Sequence, residues 1–366
     1  MTGKFAGRDL KGSGRPRKKS RRASLKRKFS DDLPALIRPW KVRLSVRHLH
    51  GPRKVVYGKD ELLILCLVRN AQTYIESFIE HYLSMGAKHI VFLDNGSEDE
   101  TISIARNHER VTVLQTKLSF KKYRLEMKQY LVYRFGRDRW SLSVDQDELF
   151  DYPYSDVVSL KSLLGYLNER RYTTIVTHLL DMFPDRPLSS RANPEDGALK
   201  ERYRFYDLSG IEKEEYNPGT GARKSNAVSN EDIKVYRGGI RKTLFGAGAS
   251  LTKHPLTFFA GGVKPLHGSS HITKHARVAD FSCVLYHYKF IDGFREHAEW
   301  AIREDAYPSR PSGRHEKYVE AMDQDPEMKI SRYTSRELGS VNDLVDNGFL
   351  AVSDEYAKWA NAENPE

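Results

Sequence analysis

Seven consecutive apolar residues, Leu62-Leu63-Ile64-Leu65-Cys66-Leu67-Val68, give one stretch of this chain no polar side to turn toward water. A surface helix needs a polar stripe and a half-exposed strand needs alternation, so the run predicts a strand buried on both faces, as in a parallel sheet covered by helices. It is far shorter than the roughly 20 residues of a membrane-spanning helix. Next, Ile75, Phe78, Ile79, Tyr82 and Leu83 recur at helical spacing, and Gly86 is placed to end that helix. Residues 88–94 read as a second strand, Ser97 and Glu100 as a capping box opening a second helix, and residues 111–114 as a third strand. A βαβαβ unit of this kind implies parallel strands and right-handed crossovers.

A longer helix is predicted over about 120–135, with Leu125, Tyr130, Leu131 and Phe135 on its apolar side and Gly136 as its stop. In the fourth strand Trp140, Leu142 and Val144 alternate with small polar residues, and the chain then runs into Asp145-Gln146-Asp147-Glu148. Upstream, Ile37, Trp40, Val42, Leu44 and Val46 alternate with polar residues, which predicts a strand leading into the fold over 36–57. Downstream come a helix near 155–170 and a strand near 172–178. Residues 183–232, rich in Pro, Gly, Asn and charge, read as long loops or an insertion. Short β-like pieces follow over 233–290, and Asp292 is placed to cap a helix containing Phe294, Ala298 and Trp300.

Charge divides the chain. Residues 1–58 hold 18 lysines and arginines against Asp9, Asp31 and Asp32, a net +15, which leaves the remainder at −4. The cation-rich start has little to bury and is expected to be disordered, with anionic membrane or nucleic acid as its natural contacts. Two cysteines cannot form a disulfide framework, and Cys66 lies inside the apolar run as a small core residue, so a reducing, cytoplasmic setting is expected. No apolar segment follows the basic N-terminus, as a secretory signal would require.

In an open parallel sheet, ligands bind outside the carboxyl ends of the strands. The residues predicted there are Val68, Arg69 and Asn70, then Asp94 and Asn95, then Asp145, Asp147 and Glu148. Asp145 and Asp147 form a DxD element, whose two carboxylates can address one hard cation, Mg²⁺ or Mn²⁺, together with phosphate oxygens. The plainer reading is a solvated acidic turn, but the end of a buried strand is an unusual place for one. Asp94 at the second strand's end is suited to accept hydrogen bonds from a nucleobase or ribose.

The motifs Arg69-Asn70, Asp94-Asn95-Gly96-Ser97-Glu98-Asp99 and Trp140 followed by Asp145-Gln146-Asp147-Glu148-Leu149-Phe150 resemble the nucleotide-sugar half of GT-A glycosyltransferases, most of all family 2 and the related family 92. Leu149 departs from the pattern by separating the acid from the aromatic residue. The resemblance is strong over about 60–155 and looser over 236–295. It implies a three-layer, Rossmann-like α/β fold with a central, mostly parallel sheet and a basic disordered arm. The implied division is an arm over 1–55, a catalytic domain over 56–310 with halves 60–155 and 156–310, and a peripheral helical extension over 311–366.

The resemblance further implies a metal-dependent transfer of sugar from a nucleoside-diphosphate donor to a saccharide, lipid-linked or protein hydroxyl, with inversion. Asp94 would hold the base or ribose, Asp145 the ribose or metal, and Asp147 the metal. His287, in Leu285-Tyr286-His287-Tyr288-Lys289, would complete the metal site, with His271 as its competitor. Lys253 and Arg241 are candidates to neutralise the diphosphate. Asp181 is the expected general base, ahead of Asp185. The alternatives are a metal-dependent phosphoester hydrolase built on the same acids and a non-catalytic protein that binds nucleic acid or an anionic surface through its arm.

Overall fold

The computed structural model describes residues 37–363 apart from 192–196, 218, 249, 266–271 and 308–312, so most of the basic arm lies outside the described residues. The apolar run forms β2 (Leu63–Val68), buried throughout. It is followed by α2 (Ile75–Ser84), β3 (His89–Asp94), α3 (Thr101–Arg106), β4 (Val111–Gln115), α4 (Phe120–Phe135) and β5 (Trp140–Val144). Strands β4, β3, β2 and β5 lie side by side in that order, all parallel. The chain moves outward from β2 to β4 and then returns to β5 on the other flank. Strand order therefore reverses between β2 and β5, and ligands of open α/β sheets bind outside the carboxyl ends of the strands at such a reversal.

The same sheet continues past β5 through β11 (Leu256–Phe258), β7 (Thr174–Asp181), β12 (Val278–His287) and β6 (Glu148–Asp151). Strands β7 and β12 are parallel, while β11 and β6 pair antiparallel with their neighbours. The expected mixed α/β fold with a large central sheet is present, and antiparallel pairing enters beyond β5. Between β7 and β12 come a hairpin of β8 (Ile211–Glu215) and β9 (Lys234–Gly238), helix α6 (Ile240–Phe245) and the short β10 (Thr252–Lys253). Helix α5 (Leu160–Glu169) precedes β7 and is capped by Ser159.

Layers of side chains fix this sheet from both faces. Leu62, Ile64, Cys66 and Val68 pack with α2, while Leu63, Leu65 and Leu67 pack with Tyr123, Met127 and Leu131 of α4. Cys66 and Cys283 are both free and buried. Helices α7 (Phe294–Arg303), α8 (Arg314–Gln324) and α9 (Asp354–Ala362) close the C-terminal side, with Tyr318 against Phe245 and Phe294, and Tyr356 stacked on Phe281. Among the described residues no helix is long and apolar enough to cross a membrane.

Three local expectations change. Residues 38–45 form a helix, α1 (Arg38–Ser45), and only Arg47–His50 forms a strand, β1, antiparallel to β4. Pro39 sits in the first turn of α1, where its missing N–H costs nothing, and Val42 alone is fully buried. Helix α3 begins at Thr101, because Ser97 donates to the carboxylate of Asp94 instead of capping. Helix α7 starts from Gly293 at φ 80°, a conformation that favours glycine, so Asp292 lies one residue too early to cap it.

Trp140 is fully buried, stacks edge-on against Phe258 and donates to Asn168 at 2.9 Å, so it ties β5, β11 and α5 together. Replacing it by alanine, Trp140→Ala, is expected to cost about 3–5 kcal/mol in urea unfolding with an unchanged m-value. A loss below about 1 kcal/mol would show that this side chain is not central to the packing.

Candidate active site

Strand register builds the site. β12 runs antiparallel to β6 with His287 opposite Glu148, and parallel to β7 with His287 opposite Asp181. Three ionisable residues from distant parts of the chain thus stand in one row. The turn between β5 and β6 brings Asp147 to the same place, where its main-chain carbonyl accepts from the N–H of Tyr288 at 2.8 Å. His287 Nδ1 lies 2.5 Å from Asp181 Oδ1, and its Nε2 lies 3.3 Å from Asp147 Oδ2. One donor atom from each of Asp147, Glu148 and His287 falls within 4.8 Å of the others, a grouping able to hold a metal ion.

Asp145 is placed differently. Its Oδ1 accepts from Lys128 of α4 at 2.5 Å and its Oδ2 from Lys253 at 3.2 Å, so the first acid of the DxD element is paired with two ammonium groups and stands outside the grouping. Lys253 is 3% exposed and also donates to Glu148. It was expected to face the donor; it is held instead between two carboxylates. Asp181, the expected base, has both oxygens engaged, Oδ1 by His287 and Oδ2 by Arg241 Nε at 2.8 Å. Each oxygen thus accepts one hydrogen bond, and the Oδ1 contact fixes the orientation of the imidazole. Asp185 accepts from Ser331 outside this row, and His271 lies outside the described residues.

The electrostatics follow from burial and pairing. Burial alone would raise the Asp147 carboxyl, yet His287 beside it brings it down to about 2. Asp181 also reaches about 2, with Arg241 and His287 outweighing burial. His287 is raised although burial opposes its charge, because Asp147 and Asp181 flank it. Burial likewise works against Lys253, and Glu148 and Asp145 hold it protonated. Lys289, two residues beyond His287, is lowered by burial despite the charge of Asp147 nearby.

This donor set fits a divalent cation. With Nδ1–H of His287 donating to Asp181, the lone pair of Nε2 is turned toward Asp147, the usual arrangement in which a carboxylate fixes a ligating imidazole from behind. Glu148 and Lys128 had weak signals in the sequence: the first only as part of an acidic run, the second none beyond a place on α4.

The first two strand ends form the opposite wall. Asp94 is 0% exposed, and its oxygens accept from Gly96 N at 2.8 Å, Ser97 N at 3.1 Å, Ser97 Oγ and Gln115 Nε2 at 2.9 Å. Expected as an acceptor for a nucleobase or ribose, it is saturated by its own turn. Asn95 donates through Nδ2 to the carbonyls of Thr116 and Leu118, and its buried Oδ1 has no hydrogen-bond partner among the described residues. Val68 is buried at the end of β2. Arg69 N donates to Gln146 at 3.1 Å, and its guanidinium lies 5.7 Å from the centre of the Trp300 ring. Asn70, at φ 50°, is exposed and bonded to Ser97 and Glu98.

No family model matches the chain, and no curated protein matches it. Among solved structures, TarS of S. aureus is similar at 18% identity over 37% of this chain and 23% of that one, with a TM-score of 0.26. The mannosyltransferase PcManGT of Pyrobaculum calidifontis, in complex with GDP-Man and Mn²⁺, is similar at 16% identity over 42% and 44%, TM-score 0.26. Glucosyl-3-phosphoglycerate synthase of Mycobacterium tuberculosis, with Mn²⁺ and UDP, is similar at 14% identity over 36% and 52%, TM-score 0.24. The matched part is thus about half or less of each of those chains. Likeness of this degree carries no functional weight.

A carboxyl whose pKa is lower in the folded chain than in the unfolded one stabilises the fold above the unfolded value, and that contribution disappears as pH falls through the folded value. For Asp181 the window runs from about 4 down to about 2. In metal-free protein, the urea midpoint is expected to drop more steeply across that window in the wild type than in Asp181→Asn; parallel slopes would contradict the pairing. Arg241→Met leaves a buried carboxylate without its cation and is expected to cost about 3–5 kcal/mol.

Proposed function

We propose that this chain is a divalent-cation-dependent glycosyltransferase of GT-A type, resembling family 2, that moves a sugar from a nucleoside-diphosphate donor to a hydroxyl acceptor. The observation that supports this reading is the meeting of Asp147, Glu148 and His287 at the carboxyl edge of the sheet, next to the reversal of strand order between β2 and β5. Two carboxylates and one imidazole suit Mn²⁺ or Mg²⁺. When bound, such an ion stabilises the negative charge that develops on a departing diphosphate.

The chain's own residues have distinct parts in this proposal. Asp147 and His287 hold the cation, and Asp181 acts as a positioning residue that fixes the imidazole. Lys289, half-buried and without an ion pair among the described residues, offers its charge to the diphosphate. On the opposite wall, Arg69 and Asn70 face the donor. At the same strand end, the buried Asn95 Oδ1 lacks a partner among the described residues and would need local opening to accept from an N–H of the nucleobase. Inversion would need a base on the acceptor hydroxyl. Asp181, whose carboxyl Arg241 and His287 hold low, would be a weak base for that step. Residues 56–310 contain all of these side chains, and the acceptor belongs to the broad class of saccharide, lipid-linked or protein hydroxyls.

A ligand that binds only the folded state raises its stability in proportion to occupancy. Melting of the full chain is therefore expected to shift upward with one nucleoside diphosphate among UDP, GDP, CDP and ADP, and only when Mn²⁺ is present. Asp147→Asn should melt as cooperatively as the wild type, lose that shift and lose turnover by about 100-fold or more. Calorimetric titration with Mn²⁺ alone should show His287→Ala losing most of the metal binding and Asp181→Asn weakening it by about 10- to 100-fold. Full turnover in Asp147→Asn would sink the metal assignment.

A further inference from the structure

Helix α1 presents an apolar row to solvent that nothing in the proposed reaction uses. Its inner side is fixed to α4: Val42 is fully buried, Lys41 Nζ lies 5.4 Å from the centre of the Tyr123 ring, and Arg38 reaches Glu126 at 3.5 Å. On the other side Ile37, Trp40 and Leu44 are 45%, 61% and 84% exposed. Spacings of three and four residues place these on one helical face. Such an exposed row of Trp, Leu and Ile marks an interaction surface.

The charge around the row identifies its partner. From Asp32 to Asp60 the chain has no acidic residue, while Arg38, Lys41, Arg43, Arg47, Arg53 and Lys54 lie within that interval. Arg43 packs over the Trp40 ring at 5.5 Å and is exposed, as is Arg47. The neighbouring α4 has Glu126 as its one acid, and Arg38 already engages it. An apolar row edged by unopposed cations matches a surface that is both oily and anionic. A protein groove lined with carboxylates would leave Leu44 and Ile37 against polar groups. Single-stranded nucleic acid would use the cations and the tryptophan but has nothing to bury an aliphatic row.

We propose that α1 lies in the plane of an anionic lipid surface, with Ile37, Trp40 and Leu44 entering the acyl boundary while Arg43 and Arg47 meet headgroup phosphates. One short apolar row gives only weak, reversible attachment, and stable anchoring needs a second signal. The twelve lysines and arginines of residues 1–36 supply it in sequence, through an attraction that fades beyond the Debye length. This inference does not depend on the glycosyltransferase reading and is tested without any turnover assay.

The test is co-sedimentation of the full chain with vesicles of phosphatidylcholine, with and without about a third phosphatidylserine, at about 0.1 M and about 0.5 M NaCl. The wild type is expected to bind the anionic vesicles and to retain a measurable fraction at the higher salt. The double variant Trp40→Ser/Leu44→Ser, altered at exposed positions and melting as the wild type does, should lose about tenfold in partition and the whole of the salt-resistant fraction. Brominated lipid should quench wild-type fluorescence through Trp40, one of the chain's four tryptophans, and quench Trp40→Phe much less. Equal partition of wild type and double variant would overturn the proposal. So would loss of single-stranded RNA binding in the double variant with vesicle binding intact, which would assign the face to nucleic acid.

Discussion

A buried charge must be paired, and the interior end of this sheet contains enough charge for that rule to dictate its construction. The carboxylates of Glu148 and Asp181 and the side chains of Lys253, Arg241 and His287 are buried, with the partly exposed Asp145 and Lys128 closing the group. Two sub-networks result. Lys128 and Lys253 neutralise Asp145 and Glu148, while Arg241 and His287 neutralise Asp181 and Asp147. In the first, Glu148 and Asp145 hold Lys253 protonated. The second relies on an imidazole, so its balance depends on one exchangeable proton. A divalent cation between Asp147 and Nε2 would take the place of that proton and leave the Nδ1 bond to Asp181 as it is.

That arrangement places a demand on strand register. His287 meets both Glu148 and Asp181 only because β12 pairs with β6 on one side and β7 on the other at matching positions. A slip of one residue would turn the imidazole to the other face of the sheet and leave Asp181 with Arg241 alone. The ten buried residues of β12 oppose such a slip. Hydrophobic packing thereby sets electrostatic geometry: Phe281, Cys283 and Leu285 fix where His287 stands.

Legibility from sequence followed the same division. β2, β3, β5 and α2 were readable because burial on one or two faces leaves a periodic or continuous apolar signature, and the strand ends then located Asn70, Asp94 and Asp147. α1 was misread because Trp40, Val42 and Leu44 alternate as a half-buried strand would, whereas in the fold Val42 points inward and the other two do not. Pairing was the hidden part. Asp181 and Arg241 are 60 residues apart, across the hairpin and α6, and no local pattern announces that they meet. A lone acid after a strand looks like a base; the fold sets a guanidinium and an imidazole beside it.

Asn95 shows how a local network can leave a buried acceptor unpaired. Its amide cannot be turned over, because Nδ2 donates to the carbonyls of both Thr116 and Leu118, and a flipped amide would set oxygen against oxygen. Oδ1 is therefore forced to face away from those carbonyls, buried and without a partner among the described residues. Leaving a buried acceptor unsatisfied costs about 1–3 kcal/mol. The surrounding bonds hold the turn in place: Asp94 accepts from Gly96, and Ser97 and Glu98 tie it to Asn70 just beyond β2. Because Oδ1 is buried, a donor N–H could reach it only if this wall opened.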